Sequence, residues 1–204
     1  MPESVSPELA ALRERCERFA RDVLLPNKAA RVAGSSEADV RSNVTRAARE
    51  AGLFAMTQPQ SVGGTEGDLL ALTIARDTLA GYNTGLTHYA FGPGPGVLAG
   101  CAEPLRTRYL LPLLAGEKRA GFAFTEPDDA PHFTRADRTA EGLRVTGQKS
   151  YVTGGGNADF LNTLVEIPGQ GRAMLVIDTD APGVVVERRF DSLDGSHHAA
   201  FRFD

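Results

Sequence analysis

Tyr109-Leu110-Leu111-Pro112-Leu113-Leu114-Ala115-Gly116-Glu117-Lys118-Arg119-Ala120-Gly121-Phe122-Ala123-Phe124-Thr125 is where the chain changes its period. Before Gly116 the apolar residues recur every third or fourth position, the spacing of a helix with one buried stripe. From Gly121 onward they come in short runs separated by turn residues, the spacing of strands. The two sides of this junction therefore belong to different kinds of structure.

Upstream, Leu9, Leu12, Cys16, Phe19 and Val23 form one amphipathic helix. Ser6-Pro7 supplies a cap and a proline at the first helical position, and Pro26 is expected to end the pattern. Ser36-Glu37-Ala38-Asp39 has capping-box spacing and opens a second helix, with Val40, Val44, Ala47 and Ala51 inward and Gly52 as its stop. A third is expected over 68–80, with Leu69, Leu72 and Leu79 on one side. A last covers 103–115, with Pro104 just inside it. Between them Gly92-Pro93-Gly94-Pro95-Gly96 interrupts any helix. Downstream, the runs 121–125, 143–146, 150–153, 160–167, 173–178, 184–189 and 199–203 read as strands. Glu141-Gly142, Pro168-Gly169 and Pro182-Gly183 are the turns between several of them. The expected fold is α+β: an all-helical domain over 1–118, then a small antiparallel β-barrel or sandwich over 119–204.

Composition narrows the function. The 204 residues carry 22 Lys+Arg against 26 Asp+Glu, a formal net charge of -4, with 42% hydrophobic and 24% charged residues. Such a chain can bury a real core and is not expected to be disordered. Its mild acidity excludes a protein that holds nucleic acid by phosphate neutralisation. No apolar run is long enough to span a membrane. The first residues show neither a basic nor an apolar leader segment, so a cytoplasmic location is expected. Cys16 and Cys101 each fall on an apolar stripe and are expected to be buried, inert thiols. The closing Ala200-Phe201-Arg202-Phe203-Asp204 reads as a strand with nothing after it, as in a truncated or split protein.

Generic motifs carry little. Gly94-Pro95-Gly96-Val97-Leu98-Ala99 fits the glycine pattern of a dinucleotide loop, but no strand precedes it and its prolines lack N–H donors. Gly147-Gln148-Lys149-Ser150 lacks the order of a phosphate loop. His88, His132, His197 and His198 have no metal-ligand spacing, and no metal is expected.

Five segments, in order, resemble the acyl-CoA dehydrogenase family. Gly121-Phe122-Ala123-Phe124-Thr125-Glu126-Pro127 is similar to that family's strand ending in Thr-Glu-Pro. Val145-Thr146-Gly147-Gln148-Lys149-Ser150-Tyr151-Val152-Thr153-Gly154-Gly155 resembles its N-G-x-K-x-[WYF]-[IV]-[TS]-N-[GA] stretch. Glu50-Ala51-Gly52-Leu53 with Gln58-Pro59-Gln60-Ser61-Val62-Gly63-Gly64, the segment Tyr109 to Glu117, and Leu193-Asp194-Gly195 through Phe201-Arg202-Phe203-Asp204 complete the set. The resemblance runs from about residue 7 to the end.

It implies an FAD-dependent enzyme that removes hydrogen from the α and β carbons of an acyl thioester. Phe122, Phe124 and Thr125 would line the pyrimidine side of the flavin ring, and Tyr151, Val152 and Thr153 would cover its other side. The Thr153 hydroxyl would lie near the ring nitrogen that takes the hydride. A flavin needs such surroundings, apolar against its faces and polar along one edge. Ala130 and Pro131 fall where the family meets substrate and pyrophosphate. There the usual Gly-Ala-Gly-Ser-Asp is replaced by Asp128-Asp129-Ala130-Pro131-His132, with a proline that has no N–H and two carboxylates that repel phosphate. The implied partners are an acyl-CoA or acyl-carrier thioester, and an electron-transfer flavoprotein or oxygen as acceptor. A homo- or hetero-oligomer built through the family's C-terminal helical bundle is also implied. That bundle carries the family's catalytic base, so no catalytic residue is assigned here. Glu126, Asp128 and Asp129 are expected to be solvated loop charges. Two other functions fit the same fold: a non-catalytic interaction module, and a flavin monooxygenase or oxidase.

Overall fold

The computed structural model describes residues 5–192 and 197–204. The Leu193-Asp194-Gly195 part of the last resembling segment lies outside the described residues. Two compact units result, Met1–Gly116 and Glu117–Asp204.

In the first, α1 (Pro7–Phe19) starts as its sequence dictates: Leu9 N–H donates to Ser6 Oγ at 3.3 Å and Pro7 takes the first turn. Leu12, Cys16 and Phe19 are its buried stripe. Pro26 does not stop it. The helix widens to a π turn over Ala20–Leu24, where Leu25 N–H reaches back to the Ala20 carbonyl, and continues as α2 (Leu25–Val32). A π turn shifts the hydrogen-bond register by one residue, which accommodates a proline that has no N–H.

Helix α3 (Glu37–Glu50) is capped by Ser36, whose Oγ accepts the Asp39 N–H at 3.1 Å and donates to Asp39 Oδ2 at 2.6 Å. Its stripe is Val40, Val44 and Ala48; Ala51, expected inward, is exposed. Helix α4 (Leu69–Ala80) is capped by Asp68 and buries Ile74, Ala75 and Leu79. Leu69, also expected inward, is 78% exposed, because it sits on the opening turn ahead of the stripe. Short α5 (Thr87–Ala90) packs on α3, and α1 packs on α4. Gly92 follows α5, and its N–H meets the Phe54 carbonyl at 2.6 Å. A Cβ on Gly92 would lie 2.5 Å from the Phe54 ring, so the glycine is a packing requirement. A π turn over Arg106–Leu110 leads into α6 (Leu111–Leu114). Cys16 is buried and its thiol is pushed up by burial, whereas Cys101 is only partly buried, contrary to expectation. No helix of the described residues is long and apolar enough to cross a membrane.

The second unit has seven strands: β1 (Ala120–Ala123), β2 (Arg135–Thr139), β3 (Gly142–Thr153), β4 (Phe160–Ile167), β5 (Gly171–Asp178), β6 (Val184–Asp191) and β7 (His197–Phe203). They run β1-β4-β2-β3-β7-β6, with β5 also on β4. The α+β class expected from sequence stands, but the sheet is mixed and open. β1 runs parallel to β4 (Ala120 beside Phe160 through Ala123 beside Thr163), and β2 meets β4 in parallel at Arg135 and Glu166. The remaining pairs are antiparallel.

Strand β3 joins the two parts of the sheet, pairing with β2 through Thr146 and with β7 from Gly147. Gly147 sits at the crossing with φ 147°, and a Cβ there would lie 2.6 Å from the Thr134 Cα. Ala123, Val152, Leu161, Ala199, Phe201 and Phe203 form the main core of this unit.

Candidate functional site

Strand β1 puts Ala123 into the core, so Phe122 and Phe124 stand on the opposite side of the sheet, as alternation requires. Both are about half exposed, and their rings stack with centroids 5.6 Å apart at 15°. Thr125 follows, exposed, with its carbonyl accepting the Ser150 N–H at 2.8 Å.

One residue earlier the Phe124 carbonyl accepts from Lys149 Nζ at 3.0 Å. Lys149 is fully buried and also bonds Glu126 Oε1 at 3.0 Å, while the same oxygen accepts the Thr134 N–H at 2.6 Å. An ammonium taken out of water costs several kcal/mol unless it is paired and hydrogen-bonded. The chain therefore has to bring Glu126 and the Phe124 carbonyl to Lys149, and this fixes the end of β1 against β3. Burial pushes the Lys149 amine below its ordinary value, opposed by Glu126. Burial pushes the Glu126 carboxyl up, but Thr134 and Lys149 outweigh it and hold the carboxyl below the ordinary carboxylate value. Glu126 is thus not the solvated loop charge its position suggested. The ring of Phe133 meets two cations, with Lys149 Nζ 4.8 Å and Arg172 Cζ 4.7 Å from its centroid.

Just past Lys149, β3 carries an extra residue: Lys149 pairs with Phe201 but Val152 with Ala199. This bulge turns both Lys149 and Val152 to the core face occupied by Phe201 and Ala199. Tyr151 absorbs the distortion with φ 54° and is 66% exposed. Val152, expected against a ligand, is fully buried, so only its backbone could meet one. Thr153 is exposed on the same side of the sheet as Tyr151, away from the core.

Two residues not singled out from sequence complete the surface. Thr153, His198 and Phe190 lie side by side on β3, β7 and β6. Thr153 Oγ1 is 3.3 Å from His198 Nδ1, the His198 ring lies 5.6 Å from Phe190 at 17°, and Tyr151 meets Phe190 edge-on at 5.3 Å. Strand register alone makes this row, and no local spacing in the sequence signals it. His197 points elsewhere and pairs with Asp191.

The loop after Pro127 is different. The Ala130 N–H is already bonded to the Pro127 carbonyl at 3.1 Å, and exposed Pro131 has none. Neither residue has a backbone donor for a phosphate, and exposed Asp128 and Asp129 flank them.

Residues 6–117 match the family description "Acyl-CoA dehydrogenase, N-terminal domain". The chain belongs to the acyl-CoA dehydrogenase family. Among curated relatives, the probable acyl-CoA dehydrogenase YngJ of Bacillus subtilis is 27% identical over 161 residues, which is 71% of this chain and 41% of that protein. Among solved structures, a putative acyl-CoA dehydrogenase from Mycobacterium smegmatis superposes with a TM-score of 0.77 at 28% identity, covering 98% of this chain and 55% of that one. An acyl-CoA dehydrogenase from Bacillus anthracis, solved in complex with FAD, shares the fold with a TM-score of 0.75 at 23% identity, over 100% of this chain and 37% of that one. The chain therefore spans well under two thirds of the length of these acyl-CoA dehydrogenases.

The acyl-CoA dehydrogenase family is one of FAD flavoproteins, and the β unit can be tested against that group. The donor set fits a flavin ring: stacked aromatics, two threonines and a tyrosine are exposed on and just past the ends of β1 and β3. The amide of Asn162, beside Phe122 in register, has its Oδ1 buried with no hydrogen-bond partner among the described residues. The loop at Ala130 and Pro131 does not fit a pyrophosphate.

Proposed function

We propose that this chain is the flavin-facing part of an FAD-dependent acyl-CoA dehydrogenase acting on an acyl thioester. The observation that carries the reading is the junction of the two motifs. Glu126 and Lys149 tie the end of β1 to β3, so that Phe122, Phe124, Tyr151 and Thr153 stand on the side of the sheet away from the core, with exposed Thr125 just past the end of β1. Phe122 and Phe124 form the apolar wall for the ring, and the hydroxyls of Thr125 and Thr153 serve its polar edge. Bound FAD supplies a two-electron acceptor for the hydrogen leaving the β carbon.

The general base is proposed to come from residues outside these 204. Abstracting an acidic C–H needs a carboxylate within hydrogen-bond reach and free to take a proton. Glu126 is committed to Lys149 and Thr134 and is held below the ordinary carboxylate value, which makes it a weak base. Asp128 and Asp129 are exposed on the loop, and among the described residues no hydrogen bond or ion pair orients either side chain.

The test is an absorbance spectrum of the purified chain after FAD is added and the excess removed. It is recorded for the chain alone and for the chain co-expressed with a helical-bundle domain of the same family. A retained flavin band that bleaches when an acyl-CoA is added under anaerobic conditions is the expected result. Colourless protein in both preparations rejects the enzyme and leaves a non-catalytic interaction module, the reading favoured by the donor-poor loop at Ala130 and Pro131.

A further inference from the structure

The His198 imidazole is placed to decide where the Thr153 hydroxyl sends its proton. Thr153 Oγ1 and His198 Nδ1 are 3.3 Å apart, on directly paired residues of β3 and β7. The next strand contributes Phe190, paired with His198 and nearly parallel to its ring, which fixes the plane in which Nδ1 faces the threonine. A hydroxyl has one proton and rotates to suit its partners, whereas the two nitrogens of a neutral imidazole have opposite roles.

The bond can run in two directions, with opposite consequences. If Nδ1 presents a lone pair, Thr153 gives it the proton and can only accept from a ligand. If Nδ1 carries a proton, Thr153 accepts from the histidine and its own O–H turns outward. The ring nitrogens of an oxidised flavin that carry no hydrogen are acceptors and need the second arrangement.

We propose that His198 is a positioning residue that donates from Nδ1 to Thr153 Oγ1 and thereby turns the threonine proton toward an acceptor atom of the bound ring. This rests on the flavin reading above, since it is the ring that supplies the acceptor.

Two measurements test it. The first needs no ligand: long-range proton–nitrogen NMR of the labelled chain reports which nitrogen of His198 carries hydrogen. A protonated Nδ1 whose resonance moves in Thr153→Val is expected. A lone-pair Nδ1, or one that Thr153→Val leaves in place, overturns the proposal.

The second is FAD titration of the absorbance-test preparation, using wild type and three variants. His198→Phe keeps a ring on Phe190 but loses the donor. It should weaken FAD binding about fivefold, the size of one hydrogen bond, and abolish the shift of the visible flavin band expected when FAD binds the wild type, as Thr153→Val should also do. His198→Asn, with an amide N–H near the former Nδ1, should restore both. A role in packing alone predicts the reverse order, with Phe tolerated and Asn not, and that result would sink the proposal. If wild type itself takes up no FAD, the flavin reading fails while the NMR result still decides the direction of the bond.

Discussion

The base and the tip of the loop that follows β1 obey different rules. At the base, Glu126, Thr134 and Lys149 are joined by bonds of 2.6 and 3.0 Å around a lysine with no exposed surface. At the tip, Asp128, Asp129, Pro131 and His132 are exposed. A buried ammonium imposes partners on the chain, because leaving it unpaired is costly. Exposed carboxylates impose nothing, because solvent screens them. The base carries the Thr-Glu-Pro and Gly-x-Lys residues by which the chain resembles the family, whereas at the tip Pro131 has no N–H and the Ala130 N–H is bonded to the Pro127 carbonyl. The difference teaches that a motif residue is tied into the fold where its removal would leave an unpaired charge in the core, and is left to solvent where it would not.

The largest way to break this contrast is Lys149→Met. It leaves the Glu126 carboxylate without its cation and should destabilise the β unit by about 3 kcal/mol, read as a lower urea midpoint. Adding Glu126→Gln should cost less than the sum of the two single changes, which is the signature of a coupled pair. Additive losses would show that the pair does not hold the loop.

A smaller effect lies in the pH dependence. The Glu126 carboxyl is held below its ordinary value of 4.5, so as pH falls the unfolded chain takes up the proton first. The stability it contributes is therefore fully present above that value and is lost as pH falls through the lower folded value. Urea midpoints over a pH series should show this acid limb in wild type and a shallower one in Glu126→Gln. The smallest effect is expected at the tip: Asp128→Asn with Asp129→Asn should change stability by no more than about 0.5 kcal/mol. A larger loss would mean that the tip, too, is structurally constrained.

The sequence discloses what is periodic and hides what depends on register. The change from helical to strand spacing after Gly116 is visible because it is local, and so are the caps at Ser6, Ser36 and Asp68. Pro26 misleads because a π turn, invisible to periodicity, takes up the missing donor. The resemblance groups Val152 with Tyr151 and Thr153, whereas its side chain takes the core face between two exposed neighbours. The bulge at Tyr151 puts Lys149 and Val152 on the same face, although they are three apart. The bulge also explains why a lysine in a polar-looking run proves to be among the largest fully buried side chains. Phe190 and His198 cannot be found by any local rule, since only the pairing of three strands brings them beside Thr153. The parallel run of β1 on β4 is hidden for the same reason.

That parallel run has a kinetic consequence. Strands β2 and β3 can close on each other across a tight turn, and β6 and β7 also run antiparallel, but Ala120 must find Phe160 across the whole intervening hairpin. Contacts between residues far apart in sequence form slowly, because the entropy of closing the loop has to be overcome before the contact gives anything back. The pairing of β3 with β7 spans more chain still, Thr153 to His198, so both the aromatic wall and the Tyr151–Thr153 surface should form after the local β2–β3 pair. A chain emerging from the ribosome would have the strands for the wall before the strand that completes the surface to face it.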